Sequence, residues 1–468
     1  MSPSEPTQRC IILLADGARP DVLAELCDQG ELPHLARHLV EGGSAREATT
    51  VFPSTTGPAH LPFLTGLFPG SCDIPGIRWF DPVAFEARRA SIDRCRSYVG
   101  PGAYLLDRDL RAEVKSLYDH VEDHANVFGN CTRGLRADRH LTRYAKLRLN
   151  LTSFFSTEYG LTDRECARIL ADEAAERRFV FAVLPGVDSE SHKGGVRSGG
   201  TFDAYRRVDD TVGLLAQRLG ETRLREEVVL LLVSDHGLSD TARHFDLERW
   251  LEGRRGPVLA YPRLRGLLGN PRTACMVSGN AMAHVHLRGD DDWGDEAAAR
   301  ALGAGLCEEE AIDVVAWREG ATIVVRSRAG EANICLLHDA LTYEAVRGDP
   351  LGYGPLPARM TLAQAHELTV ASHYPDGLVQ LAQLFRTRRC GDLVVTAAPG
   401  WDLRARFERP PHRGSHGALH REHMRTPLWS NRRLPRGALR TVDVFAAVLQ
   451  RLGLPVPAGL DGVPFTIS

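Results

Sequence analysis

Asp16-Gly17, Asp188 with His192, Asp235-His236-Gly237 and Gly414-Ser415-His416-Gly417 are the stretches of this chain whose residue types can do chemistry together. Carboxylate oxygens and imidazole nitrogens are ligands for zinc and similar divalent ions. Taken singly, each stretch has an ordinary use. An aspartate after a strand commonly forms a turn. Asp188 and His192, four apart, would face the same way on a helical turn, as a surface ion pair does. His416 stands among His412, His420 and His423, as in a solvated loop. Their joint occurrence is what points to metal. A hydroxyl nucleophile is also at hand, in Ser54-Thr55-Thr56, ahead of a helical pattern that could begin near Thr56. A hydroxyl needs activation near neutral pH, which a metal ion can supply. Capping of the following helix is the alternative use of these three hydroxyls.

These residues sit where strands would end. Short apolar runs at 10–15, 179–184, 228–233 and 393–397 read as buried parallel strands. Helical patterns lie between them, at 21–42, 62–67, 202–219 and 441–452. Alternating strands and helices predict an α/β fold, with a mostly parallel central sheet and helices on both faces. In such sheets chemistry gathers at the C-terminal strand ends. Residues 85–150 are charged and weakly patterned and read as an insertion. Residues 255–380 read as a second insertion or cap, with strand-like pieces at 283–287 and 321–326.

Composition narrows the class. The chain has 468 residues, 43% hydrophobic and 25% charged, which excludes a disordered chain or a small disulfide scaffold. A net charge of -3 makes no case for a nucleic acid polymer or an anionic membrane as partner. The ten cysteines form no C-x-x-C pair, as expected of reduced structural thiols. The first apolar run is interrupted at Asp16, too early for a signal peptide, and no run is long enough to span a membrane. The expectation is a cytoplasmic protein.

In this order the motifs resemble those of the alkaline phosphatase superfamily, and within it the nucleotide pyrophosphatase/phosphodiesterase branch. The resemblance is carried by Asp16-Gly17, Phe52-Pro53 with Thr56, His60 and Leu64-Thr65-Gly66, Asp188 with His192, Asp235-His236-Gly237 and Gly414-Ser415-His416-Gly417. Residues 441–462 resemble the family's closing helix and tail. The resemblance implies one alkaline phosphatase-like catalytic domain over residues 1–468, with two divalent ions, typically Zn2+; Mn2+ or Fe also suit such ligands. It implies Asp188, His192 and His416 at one ion, and Asp16, Asp235, His236 and Thr56 at the other. Thr56 matches the nucleophile, with Thr55 as fallback. The sulfatase pattern Cys/Ser-x-Pro-x-Arg is absent.

The chain departs from the pattern at three places. Ala59 precedes His60 where Asn is common, and Ser191 precedes His192 where Gly is frequent. Ile77 stands 21 residues after Thr56, where the branch places an Asn on a phosphate oxygen. The adjacent Arg78 is the candidate substrate contact, because a guanidinium forks onto phosphate; a surface or ion-paired arginine is the alternative. The implied function is metal-dependent hydrolysis of a small phosphate ester, first a phosphodiester or nucleotide-type pyrophosphate. Phosphomonoester or phosphonate hydrolysis is the alternative, and a non-catalytic metal-binding homologue is the rival of another class. His244, His338, His373 and His420 read as structural or surface histidines.

Overall fold

The computed structural model describes residues 8–88, 94–142, 159–261, 271–337, 340–404 and 411–468; His338 lies outside them. Three of the apolar runs become the strands Arg9–Ala15, Phe179–Leu184 and Val228–Val233. Every residue of the last two is buried, as expected for parallel strands covered on both faces. They form the middle of a six-stranded sheet, in the order Ser44–Thr49, Arg425–Ser430, Val228–Val233, Arg9–Ala15, Phe179–Leu184, His124–Val127. Arg9–Ala15 runs parallel to both neighbours, with Cys10 opposite Val229 and Phe179. His124–Val127 extends the parallel set. Arg425–Ser430 runs against the rest. The fold is therefore α/β with a mostly parallel sheet. The stretch 85–150 supplies the edge strand His124–Val127, whose His and Asn hide it from an apolar-run reading.

Helices cover this sheet. Gly199–Leu219 buries the stripe Tyr205, Val208, Val212, Leu215 and Leu219, and packs on Tyr159–Glu176, which lies on Phe179–Leu184. Asp443–Arg451 is the closing helix. No helix among the described residues is long and apolar enough to cross a membrane.

The run 393–397 is not a strand of this sheet, contrary to the sequence reading. Leu393–Ala397 lies in a second, nine-stranded sheet, antiparallel to Met282–Leu287 on one side and Ile312–Glu319 on the other. A short apolar run buried on both faces says that a strand is central, not which sheet or direction it belongs to. The strand-like pieces within 255–380 are the strands Met282–Leu287 and Thr322–Ser327 of that second sheet.

The two sheets meet around the segment carrying the hydroxyls. Val51, Phe52, Ala59 and Phe68 pack into the core of the second sheet, with Met282, Val314 and Leu378. Leu61, Phe63 and Leu64 pack into the core of the first. Helix Gly377–Leu384 grips the backbone here. Gln380 Oε1 accepts from Phe52 N at 2.9 Å, Gln383 Nε2 donates to Phe52 O at 2.6 Å, and Gln383 Oε1 accepts from Gly70 N at 2.9 Å.

Asp376, at the head of that helix, is fully buried. It accepts from Gln380 Nε2 at 2.8 Å and from Arg440 at 2.7 and 2.8 Å. Removing one partner of such a pair leaves a buried charge uncompensated. Arg440→Met is therefore expected to lower the unfolding free energy by about 3 kcal/mol, read as a fall in the urea midpoint at pH 7. A midpoint equal to wild type would show that the pair holds nothing together.

Candidate metal centre and active site

The parallel order of three strands brings three aspartates together. Val228–Val233, Arg9–Ala15 and Phe179–Leu184 are neighbours, and Asp235, Asp16 and Asp188 follow their C-terminal ends. The exits are tied by backbone hydrogen bonds, Asp16 N to Leu184 O at 3.0 Å and Asp188 N to Asp16 O at 2.9 Å. Gly17 N donates to Asp235 Oδ1 at 3.3 Å. Gly17 has φ +73°, and a Cβ there would lie 2.4 Å from Leu238 Cδ1 and 3.1 Å from Asp188 Cα. Only glycine lets the exits close up this far.

Asp188 and His192 lie one turn apart on helix Gly186–Gly194, with His192 Nε2 3.2 Å from Asp188 Oδ1. His416 arrives through a small sheet. Gly414–Ser415 pairs antiparallel with the start of Ser239–His244, which follows Asp235-His236-Gly237. The rings of His236 and His416 are thereby stacked, 3.7 Å between centroids. His416 Nε2 lies 3.7 Å from Asp188 Oδ1, and His236 Nε2 lies 3.5 Å from both Asp16 Oδ1 and Asp235 Oδ2.

The hydroxyl segment does not cap a helix. A 3-10 turn, Pro58–His60, and the helix Leu61–Thr65 begin only after Gly57, so the expected start near Thr56 falls too early. Gly57 has φ +94°, which breaks the helical path. Ser54 Oγ donates to Ala418 O at 3.0 Å. Thr55 Oγ1 is buried without a hydrogen bond. Thr56, half-buried, donates from Oγ1 to Asp16 Oδ1 at 3.3 Å and lies 3.1 Å from His236 Nε2.

The three histidines share one arrangement. Nδ1 donates to a backbone carbonyl in each: His192 to Gly414 O at 2.7 Å, His236 to Gly237 O at 3.1 Å, and His416 to Ser54 O at 3.0 Å. A carbonyl only accepts, so in a neutral ring the proton is on Nδ1 and Nε2 keeps its lone pair. These lone pairs face three carboxylates, and Asp188 Oδ1 and Asp235 Oδ2 are buried without a hydrogen bond. Acceptors facing acceptors call for a cation. Three overlapping groups have ligand atoms within 4.8 Å of one another: Asp188-His192-His416, Asp16-His60-Asp235 and Asp16-Asp188-His236. The residues fit divalent metal.

Crowding of these groups shifts their ionisation in opposite directions. Burial, then the charges of Asp235 and Asp188, push the Asp16 carboxyl well above its usual range. Burial opposes ionisation of Asp188 too, but His192, His416 and His236 outweigh it and hold the carboxyl low. At Asp235 burial is outweighed by His236 and His60, and the carboxyl falls to about 2. Burial and His236 hold His416 well below the ordinary imidazole value.

Asp16, Thr56, Asp188, His192, Asp235, His236 and His416 are thus brought into one chamber. Arg78 stands at its margin. It opens the strand Arg78–Phe80, its guanidinium lies 5.4 Å from the Tyr261 ring centre, and its charge reaches His412. Two neighbours had no role in the sequence reading. His60 is buried with neither ring nitrogen hydrogen-bonded, and its Nε2 is 3.3 Å from Asp235 Oδ2. His412 packs on His192, 4.4 Å between ring centres, and its Nδ1 is 2.6 Å from Asn280 Nδ2. His60 lies inside a quoted motif, which was the available signal. Asn280 comes from the second sheet and had none. Of the unassigned histidines, His420 is buried and packs on His423, 4.0 Å between ring centres.

Comparison with known proteins bears on the family and the fold. An uncharacterized pyrophosphatase/phosphodiesterase of Schizosaccharomyces pombe is 24% identical over 240 residues; the match takes in 50% of this chain and 45% of that protein, so the chain spans under half of the relative's length. Phosphonoacetate hydrolase from Sinorhizobium meliloti 1021, solved with phosphonoacetate, shares the fold at TM-score 0.62, with 16% identity and 96% of both chains covered. Murine ectonucleotide pyrophosphatase/phosphodiesterase 5, solved as an inactive variant with AMP, shares it at TM-score 0.58, with 15% identity and 98% of this chain and 97% of that one covered. Residues 10–419, which contain every residue of the chamber, match the type I phosphodiesterase / nucleotide pyrophosphatase family, and the chain belongs to that family of hydrolases.

Proposed function

We propose that this chain hydrolyses small phosphate esters, phosphodiesters or nucleotide-type pyrophosphates first, with Thr56 as nucleophile and two divalent ions. The carrying observation is Thr56 Oγ1 set 3.3 Å from Asp16 Oδ1 and 3.1 Å from His236 Nε2, at the edge of a chamber of acceptors. Asp188, His192 and His416 would hold one ion, and Asp16, Asp235 and His236 with Thr56 the other. Zinc suits this ligand set, as do manganese and iron. Two bound ions supply Lewis-acid stabilisation of charge on the attacking and leaving oxygens.

The chain's own groups do the rest. Asp16 Oδ1 accepts the Thr56 hydrogen bond and so aims the oxygen lone pair away from itself. Thr56 Oγ then bonds to phosphorus in line as its proton passes to Asp16 Oδ1, and the phosphorus–oxygen bond to the leaving group breaks with its electron pair; water next bonds to phosphorus, the Oγ–P bond breaks, and Thr56 Oγ regains a proton from Asp16 while the water's proton leaves with the product. Backbone carbonyls fix the orientation of all three histidines, a support that commonly tunes metal affinity. Arg78, in place of the absent Asn, offers a cationic contact for phosphate oxygens. The ten free cysteines fit a reducing, cytoplasmic setting.

Thr56→Ala is expected to cut kcat on bis(4-nitrophenyl) phosphate by about a thousandfold or more, with metal content by mass spectrometry still near that of wild type. Unchanged turnover in the loaded variant would sink the mechanism. Chelation should abolish hydrolysis and added zinc or manganese restore it; activity indifferent to chelator would contradict the metal assignment. His60→Ala leaves Asp235 without its buried neighbour and is expected to weaken metal affinity about tenfold or more, read by competition with a fluorescent chelator. Equal affinity would assign His60 to packing alone. Turnover of the diester against 4-nitrophenyl phosphate and phosphonoacetate ranks the substrate classes.

A further inference from the structure

His423 takes no part in the proposed reaction, yet it joins the two loops that carry His236 and His416. It lies on the short helix Arg421–Met424 and is buried, not in a solvated loop. Both ring nitrogens are spent inside the protein. Ala418 N donates to Nδ1 at 3.0 Å, and Nε2 lies 2.8 Å from Ser239 Oγ. A backbone N–H only donates, so Nδ1 keeps its lone pair, and the proton of a neutral ring is on Nε2, which donates to the Ser239 hydroxyl. Burial, then His420, hold this imidazole well below its ordinary value, in keeping with a neutral ring. The arrangement is the reverse of that at His192, His236 and His416, where Nδ1 donates and Nε2 is left for a cation.

The partners of His423 belong to the two histidine loops. Ser239 comes two residues after Gly237 and opens the strand Ser239–His244, where it pairs with Ser415. Ala418 comes two residues after His416. The His423 carbonyl adds a third tie, accepting from Gly237 N at 2.9 Å. Gly237 lies so close to this helix that a Cβ would be 2.1 Å from Glu422 O. Beyond Ala418 the ties continue. Ala418 O accepts from Ser54 Oγ at 3.0 Å, and Ser54 O is the carbonyl that fixes His416 Nδ1, also at 3.0 Å. Met424 O accepts from Thr50 N at 2.9 Å, and Thr50 Oγ1 donates to Asp235 O.

We propose that His423 is a positioning residue of the metal centre: one rigid ring, bonded to Ser239 at one nitrogen and Ala418 at the other, sets how His236 stacks on His416. This rests on His236 and His416 being metal ligands, as proposed above. Their rings are 3.7 Å apart between centroids and inclined by 9°. In the proposed assignment they serve different ions, so their stacking governs how the two ion sites stand to each other. Groups that orient ligands from behind commonly tune metal affinity.

The test uses wild type, His423→Phe, which keeps a ring and removes both nitrogens, and Ser239→Ala, which removes one oxygen. Zinc affinity is read by competition with a fluorescent chelator, and ligand geometry by the visible spectrum of the cobalt-loaded protein. His423→Phe is expected to weaken at least one zinc about tenfold or more and to change the cobalt spectrum. Ser239→Ala is expected to weaken the same zinc about fivefold. The two combined should cost no more than His423→Phe alone, because they break one shared hydrogen bond. In both variants kcat on the diester should fall with KM little changed. A His423→Phe protein that unfolds at lower urea but keeps wild-type zinc affinities and cobalt spectrum would assign the histidine to packing and overturn the proposal. If His423→Phe does not fold, Ser239→Ala decides, and wild-type zinc affinities there would overturn it. A wild type that binds no divalent ion would sink the metal reading itself, and the proposal with it.

Discussion

Three carboxylates and three imidazole lone pairs point at one another at the ends of three neighbouring parallel strands, and among the described residues Asp188 Oδ1 and Asp235 Oδ2 find no hydrogen-bond donor. Buried acceptors without donors are costly. The backbone nevertheless holds them there, through carbonyls that fix each histidine by Nδ1 and through Gly17, whose lack of a side chain lets the strand exits close. The arrangement makes physical sense around positive charge. Everything else in the structure that bears on function follows from keeping this cluster assembled.

The segment carrying Thr56 is the part least supported by local structure. It lies outside any regular element between Thr49 and Pro58, and Gly57 interrupts the helical path. Its position comes from being gripped on both sides. Phe52 is buried in the core of the second sheet and its backbone is held by Gln380 and Gln383. Leu61 and Phe63, a few residues on, belong to the core of the first. Thr56 is thus fixed by two cores at once, which holds a reactive group more firmly than a surface loop could.

The substrate side is built differently from the metal side. The segment 75–78 rests on the second sheet, with Ile77 N donating to Ser278 Oγ at 2.9 Å and Pro75 O accepting from His284 Nε2 at 2.9 Å. Asn280 follows in the same turn and reaches His412. The candidate metal ligands, most of them at strand ends of the first sheet, and the candidate substrate contact Arg78, beside the second, are thus carried by different elements. That separation is one physical route by which a shared fold hosts different substrates, and it accommodates Ile77 where the family pattern has Asn.

The residues of the candidate metal centre were legible in the sequence because they are short-range features. Asp16, Asp188, Asp235 and His236 each end a strand whose apolar run is readable on its own, and His192 follows Asp188 by one helical turn. The family resemblance tied these pieces together with His416 and Thr56. Other features were not legible, for reasons of the same kind. The run 393–397 is as apolar as the central strands, so its sheet could not be told from its residues. His124–Val127 pairs in the central sheet without an apolar run to announce it. His60, His412, Asn280 and His423 are scattered over more than 300 positions, and their meaning lies in distances of a few ångström between elements remote in the chain. Sequence alone determined which residue types stand at the strand ends, because strand periodicity and strand-end chemistry are local. Tertiary structure decided what faces them, because sheet order and the contact between the two sheets depend on packing between distant segments.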